Sequence, residues 1–184
     1  MARQATAAGT SSSHRPAGRR ESFTLIEVVL AIAIIAIGVT AILGLLPGLV
    51  RQAGAAADTQ TALRLTDAVH LTLAARGQNG FDALAVSVPV MSIDPENGLE
   101  LVAAKDGTQL RWLDPAESPP VDQYFLLTVR RFPDGPLAYA PSGACLALNV
   151  LVAWPYRPLG PAGWLPPTAP DARQTVNFNV VLNR

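Results

Sequence analysis

The organisation of the whole chain depends on residues 23–50, FTLIEVVLAIAIIAIGVTAILGLLPGLV. It holds one charged residue, Glu27, and no charge follows until Arg51. About 20 apolar residues in a helix, at ~1.5 Å per residue, cross the ~30 Å hydrocarbon layer of a bilayer. The stretch is apolar all round, so we predict a single membrane-spanning helix with no face kept for water.

Glu27 is the one charged group in this helix, and a charged group in lipid needs a partner. Insertion scales put the cost of Asp, Lys or Arg at about 2.5–3.5 kcal/mol at the helix centre. Cleavage of the chain before Phe23 would create an ammonium group one helical turn from Glu27. The sequence therefore predicts that the Glu27 carboxylate pairs with an amine created by cleavage.

The segment RRESFTLIEVVLA, residues 19–31, resembles the N-terminus of type IV pilins and type II secretion pseudopilins. That motif is a basic leader, a small residue at the cut, and then Phe, Thr or Ser, Leu, Ile or Val, Glu and Val before an apolar helix. The matching positions are Phe23, Thr24, Leu25, Ile26, Glu27 and Val28. Ser22 departs from the pattern, because the family usually has Gly there.

The resemblance implies both a processing pathway and a set of partners. A prepilin peptidase would cut between Ser22 and Phe23, and Phe23 would then be N-methylated. Glu27 would pair with the amine of a neighbouring subunit's Phe23 during filament assembly. The expected partners are other pilins or pseudopilins, the prepilin peptidase and an inner-membrane assembly platform.

Shorter phrases point to subfamilies. AILGLLPGL at residues 41–49, with DAVHLTLAARG at 67–77, resembles the pseudopilins called Verru_Chthon cassette protein B. IAIIAIG at 32–38 is similar to minor pilins of the V type and minor pseudopilins of the I type. Cys145 is the single cysteine, so the C-terminal disulfide of many major pilins cannot form. These features favour a minor subunit and leave pilus and secretion pseudopilus both open.

Residues 1–22 form an arginine-rich leader in this interpretation. Four arginines precede the apolar run, and the positive-inside rule then places the leader in the cytoplasm. The protein would cross the bacterial inner membrane once, with its C-terminal domain periplasmic, before it enters the filament. The alternative is an ordinary signal peptide cut near residues 53–57, or a signal anchor, carrying a binding domain with no filament role. Signal peptides have apolar regions of 7–15 residues, which is shorter than this one.

The end of the apolar run carries helix-breaking residues. Pro47 cannot donate its N–H and clashes with the preceding turn, and Gly44 and Gly48 flank it. We therefore expect a helix break there, intact in one context and melted in another. Small residues recur every four positions, which would let another helix approach closely. They are Ala36, Thr40, Gly44 and Gly48.

Residues 51–76 read as an amphipathic continuation of the helix, with Gly77 as its stop. The apolar face predicted to pack on a sheet comprises Ala55, Ala62, Leu65, Val69 and Leu73. His70 lies beside that face and reads as a surface residue.

Residues 77–184 are predicted to be one globular β domain. We expect a short strand at 85–90, a hairpin of 99–104 and 108–113 with a type I′ turn at Asp106-Gly107, and strands at 124–132, 145–154 and 174–182. The fold class predicted is α+β, a long helix packed on an antiparallel sheet in a pilin-like roll. The proline-rich segment 154–170 is either a partner surface or a loop in which Trp164 folds back on the sheet.

Composition limits the function. The chain of 184 residues has 14 basic and 14 acidic residues, and loss of residues 1–22 would leave a net charge of −3. Binding of nucleic acid requires a clustered basic face, and this charge balance does not indicate one. No nucleophile motif, phosphate loop or metal-spaced set of residues is present, so we predict neither enzyme activity nor a cofactor or metal. Cys145 reads as an inert apolar strand residue. Four loop residues with side-chain oxygen atoms read as solvated rather than as calcium ligands; they are Asp82, Asp94, Glu96 and Asn97.

Overall fold

A computed structural model describes residues 24–92, 97–114 and 122–184. The chain divides into two compact units, Met1–Gly48 and Leu49–Arg184. The ends of the leader, of the membrane-spanning helix and of its amphipathic continuation, predicted at residues 22, 50 and 76, remain predictions.

Helix α1 spans Leu25–Gln78 and contains Pro47. It ends two residues beyond Arg76, the last residue of the predicted continuation, because Gly77 is still helical and the helix stops before Gly80, whose φ is 149°. In the first unit every described residue is exposed. That portion of α1 buries nothing within its own unit.

The second unit is built on a five-stranded sheet in the order β2-β1-β3-β4-β7, and all its strand pairs are antiparallel. Its strands are β1 Leu99–Ala103, β2 Arg111–Trp112, β3 Phe125–Arg131, β4 Cys145–Trp154 and β7 Gln174–Asn183. The predicted α+β class is confirmed. Strand β4 has the predicted limits and lies in the interior of the sheet, between β3 and β7.

One face of the sheet packs on the second half of α1. The core residues of that helix are Ala62, Leu65, Val69 and Leu73, as the heptad-like spacing predicts, and Ala55 is half-buried. The strands supply alternate residues to the same core. These are Phe125, Leu127 and Val129 from β3, Leu146, Leu148, Val150, Val152 and Trp154 from β4, and Val180 and Leu182 from β7.

The strand predicted at residues 85–90 is wrong. A short helix, α2, occupies Phe81–Ser87, and only Val90 makes an isolated bridge, to Arg131. Leu84, Ala85 and Val88 are buried against the core, which is the spacing of one helical face. The valines of this stretch favour a strand, and the sequence-based prediction therefore missed the helical spacing.

The predicted type I′ turn is also wrong. The Gly107 N–H donates to the Ala104 carbonyl oxygen at 2.9 Å, and the Ala104 N–H to the Thr108 carbonyl oxygen at 3.0 Å. Gly107 has φ of 79°, whereas Asp106 has a negative φ, so both central residues are not left-handed as type I′ requires. The hairpin closes with a three-residue loop, and β2 is correspondingly short.

The proline-rich segment folds into a small hairpin of β5 Leu159–Gly160 and β6 Gly163–Trp164, followed by a 3₁₀ turn at Pro170–Ala172. The Trp154–Pro155 peptide bond is cis. Trp164 is half-buried, packs against the core beside Tyr124, and donates its indole N–H to Asp122. Of the two readings of this segment, the structure supports Trp164 folding back on the sheet.

Candidate assembly site at the N-terminal motif

Thr24 caps the start of α1. The Glu27 N–H points to Thr24, at 3.3 Å from the side-chain oxygen and 3.1 Å from the carbonyl oxygen. A threonine cap followed three residues later by glutamate is the capping-box sequence. The motif therefore fixes where the helix begins and holds Glu27 in its first turn. Ser22 and Phe23, predicted to flank the cleavage site, lie outside the described residues.

Glu27 is exposed, and no cation pairs with its carboxylate within residues 24–92, 97–114 and 122–184. Its position in the first turn places the negative charge at the positive end of the helix dipole, which is favourable by ~0.3–1 kcal/mol. The structure thus presents the carboxylate at the surface of the helix end, open to an amine.

The helix after Glu27 offers only apolar surface. It is the one helix, among the described residues, that is long and apolar enough to cross a membrane. Its large exposed side chains include Leu30, Ile34, Ile37, Ile42 and Leu49. Surface of this kind requires lipid or other apolar helices around it.

The predicted break at Gly44, Pro47 and Gly48 appears as continuous helix in this chain. Nothing lies within 4 Å of a Cβ built on Gly44 or Gly48, so the small-residue face is open to another backbone. Melting of this segment in a second context remains a prediction.

The second unit has no catalytic arrangement within the part of the chain that the structure describes. One of its cavities, of about 500 Å³, has a mostly apolar lining that includes His70, Gly77, Phe81, Leu182 and Arg184. No group of three or more metal-ligating side chains occurs among the described residues. His70 is exposed, as predicted.

The structure adds to what the sequence indicated about the surroundings of two side chains, Asp82 and Cys145. Asp82, read as a solvated loop acid, accepts hydrogen bonds from the Tyr139 hydroxyl and the Arg184 guanidinium. The hydrogen bond to Asp82 raises the pKa of Tyr139, and the positive charges of Arg184 and Arg131 oppose this shift. Cys145 lies in the predicted strand, as the first residue of β4, and it is exposed because the alternation of the strand turns it outward. Of the other predicted loop acids, Asp94 and Glu96 lie outside the described residues.

Sequence reasoning missed one functional-looking residue of the sheet, Arg130. It is only 6% exposed on the sheet face opposite α1. The alternation along β3 predicts that Arg130 points away from the core. No pattern of neighbouring residues in β3 predicts that its side chain is buried there.

Comparison with known proteins agrees with the N-terminal features. The family model of the prokaryotic N-terminal methylation motif matches residues 18–43. No curated protein and no solved structure matches the chain.

The match supports the type IV pilin and pseudopilin class for this chain. With the apolar helix, it also supports N-terminal methylation and membrane anchoring, and it indicates a structural protein rather than an enzyme. The match ends at residue 43, so the subfamilies named by the shorter phrases remain predictions.

Proposed function

We propose that this protein is a structural subunit, and a minor one, of a type IV pilus or type II secretion pseudopilus. A prepilin peptidase removes residues 1–22, Phe23 is methylated, and the helix leaves the membrane for the filament. The observation that carries this proposal is the methylation motif at residues 18–43, directly preceding a helix that buries nothing within its own unit.

The proposed assembly follows from the physical cost of that surface. In lipid the apolar helix is solvated by acyl chains, and in the filament it is surrounded by other helices. Glu27 then sets the register between subunits, because its carboxylate is stable in an apolar surrounding only beside a cation. The new amine of Phe23 in a neighbouring subunit supplies this cation.

The orientation of the protein in the membrane follows from the arginines that precede the apolar helix. The leader arginines stay in the cytoplasm, and the part of the chain after residue 50 lies in the periplasm. The partners are other pilins or pseudopilins, the prepilin peptidase and the inner-membrane assembly platform. The minor role rests on the lone Cys145, which excludes an intrachain disulfide.

The experiment is a filament-incorporation assay in the host cell, using Glu27→Gln and Glu27→Ala. Both variants should accumulate in the membrane and be depleted from sheared filaments, because neither can pair with the amine. Asp67→Asn is the matched control, since Asp67 is an exposed acid on the same helix. Normal incorporation of the Glu27 variants would overturn the pairing role, and absence of the unaltered protein from filaments would overturn the proposed function.

A further inference from the structure

Strand β7 has one edge that no other strand covers. It is the last strand in the order of the sheet, and β4 pairs with its other edge from Gln174 to Asn183. Among the residues that the structure describes, no strand lies on the far side. The opposite end of the sheet differs, because its outermost strand, β2, is only two residues long. Short outer strands prevent unwanted strand pairing, and β7, with ten residues, lacks this protection.

The sequence of β7 also lacks the other usual protections of an outer strand. QTVNFNVVLN contains no charged residue, no proline and no glycine. Its register with β4 runs without interruption, so no bulge turns the edge away. Natural outer strands avoid pairing through lysine, proline, bulges or a covering element. An uncharged and regular strand of this length is therefore suited to pair with another strand.

The hydrogen bonds of β7 show which of its backbone groups are free. The Arg184 N–H donates to the Ala144 carbonyl oxygen at 2.9 Å, one position beyond the pair of Asn183 with Cys145. In an antiparallel ladder, residues that bond to the neighbouring strand alternate with residues whose backbone groups face away from it. The residues of β7 that face away from β4 are Thr175, Asn177, Asn179, Val181 and Asn183. All five are exposed, and no backbone hydrogen bond from elsewhere in the described residues reaches them.

The core face of β7 is covered incompletely near this edge. Val180 and Leu182 are buried, whereas Val176 and Phe178 are only half-buried. Leu182 also lines the apolar cavity of about 500 Å³, together with residues of α1 and α2. No residue of β4 contributes to that lining, so the cavity lies toward the free edge of β7. A further strand with apolar side chains on the core side would cover Val176 and Phe178.

These features define the chemistry of the partner. Free N–H and C=O groups that recur at every second residue of an edge are satisfied by another extended backbone. The half-buried Val176 and Phe178 favour apolar side chains on the core side of that backbone, which means at every second position. A second copy of β7 is a poorer partner. The two-fold axis of such a pair would make residues 49–78 of the two α1 helices run in opposite directions, whereas proteins anchored in one membrane share a direction.

We propose that the free edge of β7 binds an extended segment of another protein, which adds to the sheet as a further antiparallel strand. Apolar residues at alternate positions of the segment face the core beside Phe178. The residues between them exchange backbone hydrogen bonds with Asn177, Asn179 and Val181. Antiparallel addition matches every existing pair in this sheet. The site lies wholly in the second unit, so it does not depend on processing at Phe23.

The test is peptide titration of the full-length protein in detergent micelles, observed by hydrogen exchange of the backbone amides of β7. The probe is an acetylated and amidated peptide, Lys-Thr-Val-Thr-Val-Thr-Val-Thr-Lys, in which valine faces the core and threonine faces outwards. We expect exchange at Asn177, Asn179 and Val181 to slow by about tenfold or more at saturation. The amides of Phe178 and Val180 already bond to β4, so their exchange should change less.

Two N-methylated forms of the probe are the matched controls. In antiparallel pairing, the threonine N–H groups of the probe point to β7 and the valine N–H groups point away. Methylation of the threonine nitrogens should therefore abolish the protection, and methylation of the valine nitrogens should leave it intact. The peptide Lys-Thr-Thr-Val-Val-Val-Thr-Thr-Lys should give no protection, because its apolar side chains do not share one face.

Two substitutions test the edge itself. Val181→Pro removes an outward N–H, and proline is tolerated in an outer strand where the N–H faces solvent. It should abolish binding, whereas Val181→Thr keeps the N–H and should bind normally. Circular dichroism checks that both variants fold, and the methylated peptides decide if Val181→Pro does not.

Four results would overturn the proposal. The probe gives no protection, or methylation of threonine leaves the protection intact while methylation of valine abolishes it. Folded Val181→Pro binds the probe normally. The outward amides are protected without peptide and lose this protection on dilution, because a second copy of the protein then occupies the edge.

Discussion

The hydroxyl of Tyr124 donates a 2.7 Å hydrogen bond to the Asp58 carboxylate, 66 residues earlier in the chain. Asp58 lies on α1, and Tyr124 lies immediately before β3. The backbone of Tyr124 is fixed independently, because its N–H donates to the Ala103 carbonyl oxygen and its carbonyl oxygen accepts from the Tyr156 N–H. The side-chain bond therefore joins the helix to an already fixed corner of the sheet.

Replacement of Tyr124 by Phe should lower the free energy of unfolding of the head by about 1–2 kcal/mol, since a hydrogen bond to a charged group is lost in a partly buried place. Urea unfolding of the full-length protein in detergent, followed by tryptophan fluorescence, measures this change. Tyr156→Phe is the control, because the Tyr156 hydroxyl bonds to none of the described residues; its ring lies near the guanidinium groups of Arg157 and Arg173. Equal losses in both variants would contradict the role of the Asp58 bond.

Alkaline pH should weaken the same contact. Burial raises the pKa of Tyr124 above its usual value, and the hydrogen bond to Asp58 and the charge of that carboxylate raise it further. The folded state then keeps a proton that the unfolded state loses near pH 10, so stability is complete below pH 10 and falls as the pH rises above it.

This pH dependence is checked by comparing unfolding of the unaltered protein and Tyr124→Phe between pH 8 and 11. The difference between them should shrink above pH 10. Tyr139 also has a raised pKa and contributes in the same direction to both proteins, so it cancels in the comparison. A constant difference across the range would show that Tyr124 titrates normally.

Gly107 is needed both for its backbone conformation and for the space beside it. Its φ is 79°, and a Cβ there would lie 2.9 Å from the Thr61 Cγ2 on α1. Gly107→Ala should therefore cost about 1–2 kcal/mol for the left-handed conformation, with a further loss from the contact. Gly135 is the matched control, since its φ is 80° and nothing lies within 4 Å of its Cβ position.

The comparison of Gly107→Ala with Gly135→Ala by thermal unfolding separates the two effects. Gly107→Ala should lower the melting temperature by more than Gly135→Ala does. If the two alanines have the same effect, the hairpin loop does not press on α1, and the packing beside Thr61 is unimportant for stability.

The hairpin also shows how far sequence reasoning reached. The pair Asp106-Gly107 predicted a turn correctly, but not its type. Two hydrogen bonds to Asp106 Oδ1 hold this loop, from the Thr108 N–H at 2.9 Å and the Thr108 hydroxyl at 2.7 Å, and they lower the pKa of Asp106. Such local side-chain bonding selects among turns that share the same residue pair.

Elements with a long, regular alternation were predictable. Strand β4, Cys145–Trp154, has the predicted limits, and the face of α1 that packs on the sheet follows its three- and four-residue spacing. The seven-residue helix α2 could not be predicted, because a short apolar run that contains valines is compatible with a strand and with a helix.

The candidate sites divide in the same way. The motif from Thr24 to Val28 is local, and it could be recognised from consecutive residues. The free edge of β7 depends on the order of the strands in the sheet, and Asp58 meets Tyr124 only when α1 packs on the sheet. No spacing along the chain encodes such relationships.

The most direct test of the account is the mass of the N-terminal peptide of the protein purified from its own cell membranes and from sheared filaments. We predict that the peptide begins at Phe23, one methyl group heavier than the unmodified residue, and that material from cells lacking the prepilin peptidase retains residues 1–22. A mature chain that begins near residues 53–57, or one that keeps its leader in the presence of the peptidase, would contradict the assignment as a pilin-like subunit.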